Sequence, residues 1–483
     1  MTKNKFRFGQ AVLVCLLLLL THSTSTWGLI RLPAQISDHM VLQQQCKVRL
    51  WGWATAGARV KIVPSWSKVK YMATANDKGR WEVEIQTPEA SFTPQTLKIK
   101  GDDTQLTLSD VLIGEVWLCS GQSNMEMPLN GFNCQPVEGS NEAIARSGRY
   151  RHAIHFVTIP KHGAPTPQDS VAGSWQTCTP ETARWFSAVG YFFGRELYEM
   201  LHVPVGLINC SWGGSHVEGW MPANLLKRYR DIGAMQPGDP TPQKWDTPAI
   251  MYNGMLHPIA GYTVRGVLWN QGESNVGQHQ AYPTLFKAMA EHWRSLWGNT
   301  ALPFYCVEIP PYSYGDVNGT QGALLREAQH EAVRMTDHCA IICTNDLAHP
   351  WQTEDIHGSR KLEIGQRLAY AAAAREYGLS AISWRSPELD KVSYEGAKAV
   401  LSFKYAEGGL SPHEKLEGFE VAGGDGIFRP AQAHEDMSKL IITVTAPQDM
   451  GAIQAVRYNF KNFSIGCVHS LSGLPLVPFR TDQ

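Results

Sequence analysis

The sequence predicts an α/β protein: a doubly wound parallel sheet with helices on both faces, flanked by N- and C-terminal β-sandwich-like regions. Three observations predict it. Apolar runs alternate with helical stretches through the middle of the chain, short alternating strands precede them, and strands return after about residue 380. A length of 483 residues leads one to expect two or three domains. Lys plus Arg number 43 and Asp plus Glu 44, for a formal net charge of −1. That balance argues against the basic footprint with which a nucleic-acid binder neutralises phosphates. Hydrophobic residues make up 43% and charged residues 18%, which argues against disorder. Trp, Tyr and Phe number 16 each, a Trp usage that suits a β core or a sugar-stacking surface.

Taken in order, residues 1–28 read as a secretory signal peptide. Lys3, Lys5 and Arg7 form a basic start, Ala11 to Leu20 is apolar, and small and polar residues follow. The apolar run is too short to span a membrane, so the expectation is an exported protein, periplasmic or extracellular, with no span in the mature chain. Removing Cys15 leaves nine cysteines without a C-x-x-C pair or a zinc pattern, so no metal site is expected. One or two disulfides are allowed, with Cys134–Cys178 the favoured pair.

Residues 29–110 carry Lys47 to Trp53, Val60 to Val63 and Trp81 to Ile85 as strands, separated by turn signals such as Ala56-Gly57 and Asn76-Asp77-Lys78-Gly79. Residues 111–380 supply the strands Val116–Cys119, Ile154–Ile159, Val205–Asn209, Val264–Trp269, Phe304–Val307 and Ala340–Thr344. Helices are expected over Ala183–Leu201, Ala281–Trp297, Gln321–Met335 and Ser359–Tyr377, the last stopped by Gly378. Residues 381–483 return to strands at Ala399–Phe403, Leu440–Val444 and Ala455–Tyr458.

Sites in open α/β sheets lie beyond the carboxyl ends of the strands. Here those ends are followed by Ser120-Gly121-Gln122-Ser123-Asn124-Met125, by Cys210-Ser211-Trp212-Gly213-Gly214-Ser215, and by Asn270-Gln271-Gly272-Glu273-Ser274-Asn275. A fourth is followed by a loop holding Asp346, His349, Glu354, Asp355 and His357. Hydroxyls, an amide, close-approach glycines, carboxylates and histidines on one edge are the parts of an acyl-transfer site. A serine needs a histidine to take its proton, the histidine needs a carboxylate to hold its tautomer, and the oxyanion needs fixed donors. Ser123, Ser215 and Ser274 all compete as nucleophile on these grounds. Position 125 is Met, so the Gly-x-Ser-x-Gly elbow of α/β-hydrolases is absent. Glu273 reads as a buried carboxylate organising the loops, and His349 as a loop residue.

The block Gly114-Glu115-Val116-Trp117-Leu118-Cys119-Ser120-Gly121-Gln122-Ser123-Asn124-Met125-Glu126 resembles the nucleophile block of the sialate O-acetylesterase family, within the SGNH (GDSL-like) hydrolases. Ser211 to Ser215, Trp269 to Asn275, and Asp355-Ile356-His357 with Lys361 and Gly365 to Leu368 agree with it. So do Ser37 to Gln44 near the start, and Gly473 to Pro475 and Pro478 to Asp482 near the end. The resemblance spans nearly the whole mature chain.

It implies a serine esterase that removes O-acetyl groups from sialic acids or related sugars without metal or organic cofactor. Carried over residue by residue, it makes Ser123 the nucleophile, His357 the general base and Asp355 the orienting acid. Glu354, three residues before the histidine, is the alternative acid. The Ser123 N–H, the Gly213/Gly214 turn and Gln271 would form the oxyanion hole, with Asn124 and Glu273 in support. Two departures bear on substrate. Gly358 stands where the family usually has Pro, and Asn270 where it has an aromatic residue. Acetylated plant polysaccharide such as xylan is the alternative substrate, and a catalytically inactive sugar-binding protein the alternative class. Arg360 is the candidate partner for a sialic acid carboxylate. An ordinary histidine titrating near 6.5 would cost activity below about pH 6. Oligomeric state is not legible.

Overall fold

The computed structural model describes residues 29–413 and 416–482, so the expected signal peptide lies outside the described residues. Among these residues no helix is long and apolar enough to cross a membrane.

Six parallel strands make the central sheet: β1 (Thr104–Gly121), β2 (Ile154–Thr158), β3 (Val205–Ser211), β4 (Gly266–Asn270), β5 (Phe304–Val307) and β6 (Cys339–Ile342), in the order β6-β5-β4-β1-β3-β2. The chain leaves β1 toward β2 and β3 on one side, then returns to place β4 on the other. Ser211 of β3 and Asn270 of β4 both pair with Gly121 of β1, so three strand ends converge at this switch point.

Period-two alternation gives the sheet two apolar faces. Trp117, Cys119, Leu268, Tyr305, Ala340 and Ile342 share one cluster with helices α2 (Ala188–Leu201) and α5 (Lys361–Glu376); a four-residue helix, α1 (Ser123–Glu126), precedes them in the chain. The intervening residues turn the other way. Trp269 of β4 and Phe304 of β5 each meet Trp293 of α3 (Tyr282–Trp297) with ring centroids 5.7 Å apart. Helix α4 (Gln321–Arg334) packs beside α3. Helices therefore cover both faces.

Helix α2 starts at Ala188, five residues later than the pattern suggests. Ser187 sets that start: its Oγ accepts the Gly190 N–H at 3.0 Å and donates to the Met125 carbonyl at 2.6 Å. Pro180–Ala183 is a separate turn.

A buried carboxylate ties β1 to its surroundings. Glu115 accepts from Gln43 (3.0 Å), Gln44 (2.7 Å), Arg265 Nε (3.0 Å) and Tyr377 (2.7 Å).

By compactness the chain divides into two units. The smaller holds described residues 29–32, 51–83 and 97–107, and the larger holds residues 33–50, 84–96 and 108 onward. In the smaller, Arg59–Pro64 pairs antiparallel with Tyr71–Thr74 and with residues 97–100, burying Val60, Ile62, Leu97 and Ile99. Strand β1 runs unbroken across residue 110.

Within the larger unit, the C-terminal residues form two four-stranded antiparallel sheets and a two-stranded one. Ala399, Leu401, Ile442 and Val444 of one four-stranded sheet pack against Phe419, Val421, Val456 and Tyr458 of the other. This sandwich is fastened to the parallel-sheet region by buried polar links. Arg326 of α4 donates to the carbonyls of Lys461 and Asn462, and Asn345 Nδ2 donates to the Leu476 carbonyl at 3.1 Å. His469 Nε2 lies 3.5 Å from Asp346.

The favoured disulfide is not formed. Cys134 is exposed, Cys178 is buried and donates to the Ser147 carbonyl at 3.4 Å, and all nine described cysteines are free.

Candidate active site

Ser123 opens α1 directly after β1. Gly121 makes that turn possible. Its φ is +130°, and a Cβ there would lie 2.1 Å from the Asn270 carbonyl oxygen. Gln122 locks the turn: its N–H donates to the Asn270 carbonyl at 2.9 Å, and its Oε1 accepts the Gly272 N–H at 3.1 Å. Ser120 Oγ donates to the Cys210 carbonyl at 2.6 Å, which secures β3.

The three competing serines separate by what they bind. Ser215 is fully buried and its Oγ accepts from Trp220 Nε1 at 2.9 Å, while Ser274 Oγ donates to the Gly214 carbonyl at 2.8 Å. Ser123 is half-buried beside Gly213, where an added Cβ would stand 3.1 Å from the Ser123 Cβ.

His357 is brought to the same edge by the loop after β6. Asn124 Nδ2 donates to the Ile356 carbonyl at 3.0 Å, fixing this loop against α1. The imidazole packs edge-on against Phe132 with centroids 5.2 Å apart, and its Nδ1 meets Gln135 Oε1 at 2.7 Å. Gln135 Nε2 then donates to Asp355 Oδ1 at 3.0 Å, and that oxygen also accepts the His357 backbone N–H at 3.1 Å. The expected direct pairing of Asp355 with the ring is therefore corrected: an amide stands between carboxylate and imidazole. Glu354, the alternative acid, is exposed. Burial, reinforced by the nearby Lys361 charge and opposed by Asp355, lowers the His357 pKa to about 4.

The expected oxyanion donors need correction as well. Gln271 is fully buried, and its amide donates to the Ser215 carbonyl (3.1 Å) and to Asn275 Oδ1 (2.7 Å), which spends both N–H groups. The Gly213 N–H donates to Glu126 Oε2 at 2.6 Å, and Lys161 pairs with the other carboxylate oxygen at 2.7 Å. The N–H groups of Ser123 and Gly214 remain without a hydrogen-bond partner among the described residues.

Beneath the serine lies a buried polar chain. Asn124 donates to Glu273 Oε1 at 2.5 Å and accepts from Lys361 Nζ at 2.5 Å. Burial pushes the Glu273 pKa up and lowers that of Lys361 to about 8. Arg360 pairs with Glu363 (2.9 Å) and donates to the Asp346 carbonyl (3.2 Å), so its charge is already matched by a carboxylate. Asp346 serves the loop through Arg367 at 2.6 Å, and His349 pairs with Glu138 at 3.1 Å. Among the described residues no group of three or more His, Cys, Asp or Glu side chains is placed to hold a metal ion.

The family model described as a carbohydrate esterase, sialic acid-specific acetylesterase, matches residues 113–374, more than half of the chain. The chain belongs to this family. Among relatives of the acetylesterase, human sialate O-acetylesterase is 27% identical over 501 residues, covering 94% of this chain and 93% of its own. The mouse protein of that name is 26% identical over 535 residues and covers 98% of both. A carbohydrate acetylesterase from Xanthomonas citri has the same fold, with a TM-score of 0.84 at 32% identity, over 94% of this chain and all of its own.

One residue of this acetylesterase gave no signal in the sequence. Gln135 lies in a Gly-Phe-Asn-Cys-Gln stretch without periodicity or motif. Its placement depends on Gly131, at φ +75°, where a Cβ would approach the Gln135 carbonyl oxygen to 2.4 Å.

Proposed function

We propose that the protein is an exported serine esterase that removes O-acetyl groups from sialic acids. One observation carries the site. Of the three strand-end serines, Ser123 alone has a hydroxyl without a structural hydrogen bond among the described residues, on the edge reached by the His357 loop. Family membership and the names of the full-length relatives support the substrate. The four strand-end loops support an SGNH-type arrangement, and we retain 29–110, 111–380 and 381–483 as its three regions after a signal peptide over 1–28.

In this reading Ser123 Oγ attacks the acetyl carbonyl while His357 Nε2 takes its proton. Gln135 Oε1 accepts the Nδ1–H, which fixes the tautomer that leaves Nε2 free as base. Asp355 holds the Gln135 amide and, through its dipole, steadies the imidazolium. The N–H groups of Ser123 and Gly214 face the developing oxyanion. Collapse returns the proton from His357 to the departing sugar oxygen and leaves acetate esterified to Ser123. Water, deprotonated by His357, then releases acetate and regenerates the serine.

The test is acetate release by wild type and Ser123→Ala, offered O-acetylated sialic acid and acetylated xylan separately. Release from sialic acid that the substitution abolishes is the expected result. Release from xylan alone would overturn the substrate, and undiminished activity in Ser123→Ala would overturn the site.

A further inference from the structure

With the Arg360 charge matched by Glu363, a cation without a carboxylate partner near Ser123 is the better receptor for a sugar carboxylate. A cluster around the Ser211–Ser215 turn offers one. Gly214 takes φ +78°, and a Cβ there would lie 2.4 Å from Cδ1 of Trp245, so the indole lies directly on the turn beside the serine. Trp245 is 39% exposed, which leaves ring surface for stacking on a sugar face. Its neighbour Lys244 is exposed, with Nζ 6.0 Å from the centroid of Trp212. Both side chains sit on a fastened turn: the Asp246 N–H donates to the Gln243 carbonyl at 3.1 Å, and Asp246 Oδ2 accepts the Gln243 N–H at 3.2 Å.

Among the described residues, the carboxylates beside this turn have cationic or imidazole neighbours. Glu126 is held by Lys161 at 2.7 Å, and Asp246 faces His216 at 3.7 Å. Lys244 has no carboxylate partner among the described residues. A cation without a carboxylate partner beside an exposed indole, packed against the Gly213-Gly214 turn that adjoins Ser123, has the chemistry to receive an anionic sugar.

We propose that Lys244 and Trp245 form the subsite for the sugar acid, with Lys244 receiving the carboxylate and Trp245 the ring. This rests on the sialic acid reading above and assigns its specificity to these two side chains. An exposed ammonium facing a carboxylate contributes a charge-assisted hydrogen bond, so its loss is expected to cost about tenfold in kcat/KM.

The experiment compares O-acetylated sialic acid with its carboxyl methyl ester, reading acetate release in wild type, Lys244→Ala and Lys244→Arg. The expected result is a preference of about tenfold for the free acid in wild type, retained in Lys244→Arg and lost in Lys244→Ala. Trp245→Ala is expected to raise KM for acid and methyl ester alike. A wild type that treats the two substrates equally, or a Lys244→Ala variant that keeps the preference, overturns the subsite while leaving the esterase reading intact. Failure of wild type on both sialic acid substrates, with activity on acetylated xylan, overturns the reading and the subsite together.

Discussion

Nδ1 of His357 lies 2.7 Å from the side-chain oxygen of Gln135, and among the described residues no carboxylate touches the ring. The arrangement orients the imidazole as a carboxylate would, but it stabilises the charged ring less, because an amide oxygen carries only partial charge. Asp355 acts at one remove, through the Gln135 amide it accepts at 3.0 Å.

Gln135→Ala is expected to lower kcat by about 10- to 100-fold with KM little changed, since the ring loses its orientation while the sugar contacts persist. Steady-state kinetics on O-acetylated sialic acid measure this. An unchanged kcat would show that Phe132 packing alone positions the ring.

The pH dependence should be displaced toward acid. A base works deprotonated, so activity falls as pH drops through its pKa, and burial puts that value near about 4 rather than the ordinary 6.5. Activity is therefore expected to persist through pH 5 and to fail as pH approaches 4, in place of the loss below about pH 6 that an ordinary histidine would give. A kcat/KM profile with its acid limb at 6.5 would contradict this environment.

Asp355→Asn and Lys361→Met should move that limb in opposite directions. Asp355 raises the His357 pKa and Lys361 lowers it. Removing the anion shifts the limb further to acid, and removing the cation shifts it toward neutrality. Profiles that stay where they are in both variants would mean that the shift comes from burial alone.

Glu115→Ala should destabilise the chain by about 3–5 kcal/mol, because the buried Gln43 amide, the half-buried Gln44 amide, Arg265 and the Tyr377 hydroxyl lose one shared acceptor. Urea unfolding measures it. A loss under about 1 kcal/mol would indicate that water replaces the carboxylate.

The strands were legible where burial imposes near-continuous apolar runs, as in Val205–Ser211 and Phe304–Val307, and so was the stop of α5 before Gly378. The start of α2 was not, because Ser187 competes with earlier helix formers through a tertiary bond to Met125 as well as a cap. At the site, residue types at strand ends pointed to one edge of the sheet. What they could not convey was which polar groups are already spent. Glu126 takes up the Gly213 N–H, Ser215 and Asn275 take up the Gln271 amide, and Gln135 reaches His357 across 222 positions of chain. Such pairings depend on three-dimensional proximity and leave no local pattern.

The loop that carries His357 starts at Asn345 and Asp346, and both are held by the C-terminal sandwich through Leu476 and His469. The last hundred residues thereby have a mechanical part in the proposed site: they brace the loop that carries His357. On the proposed reading, a chain trimmed to its parallel sheet would keep Ser123 and lose the bracing of the loop that carries His357.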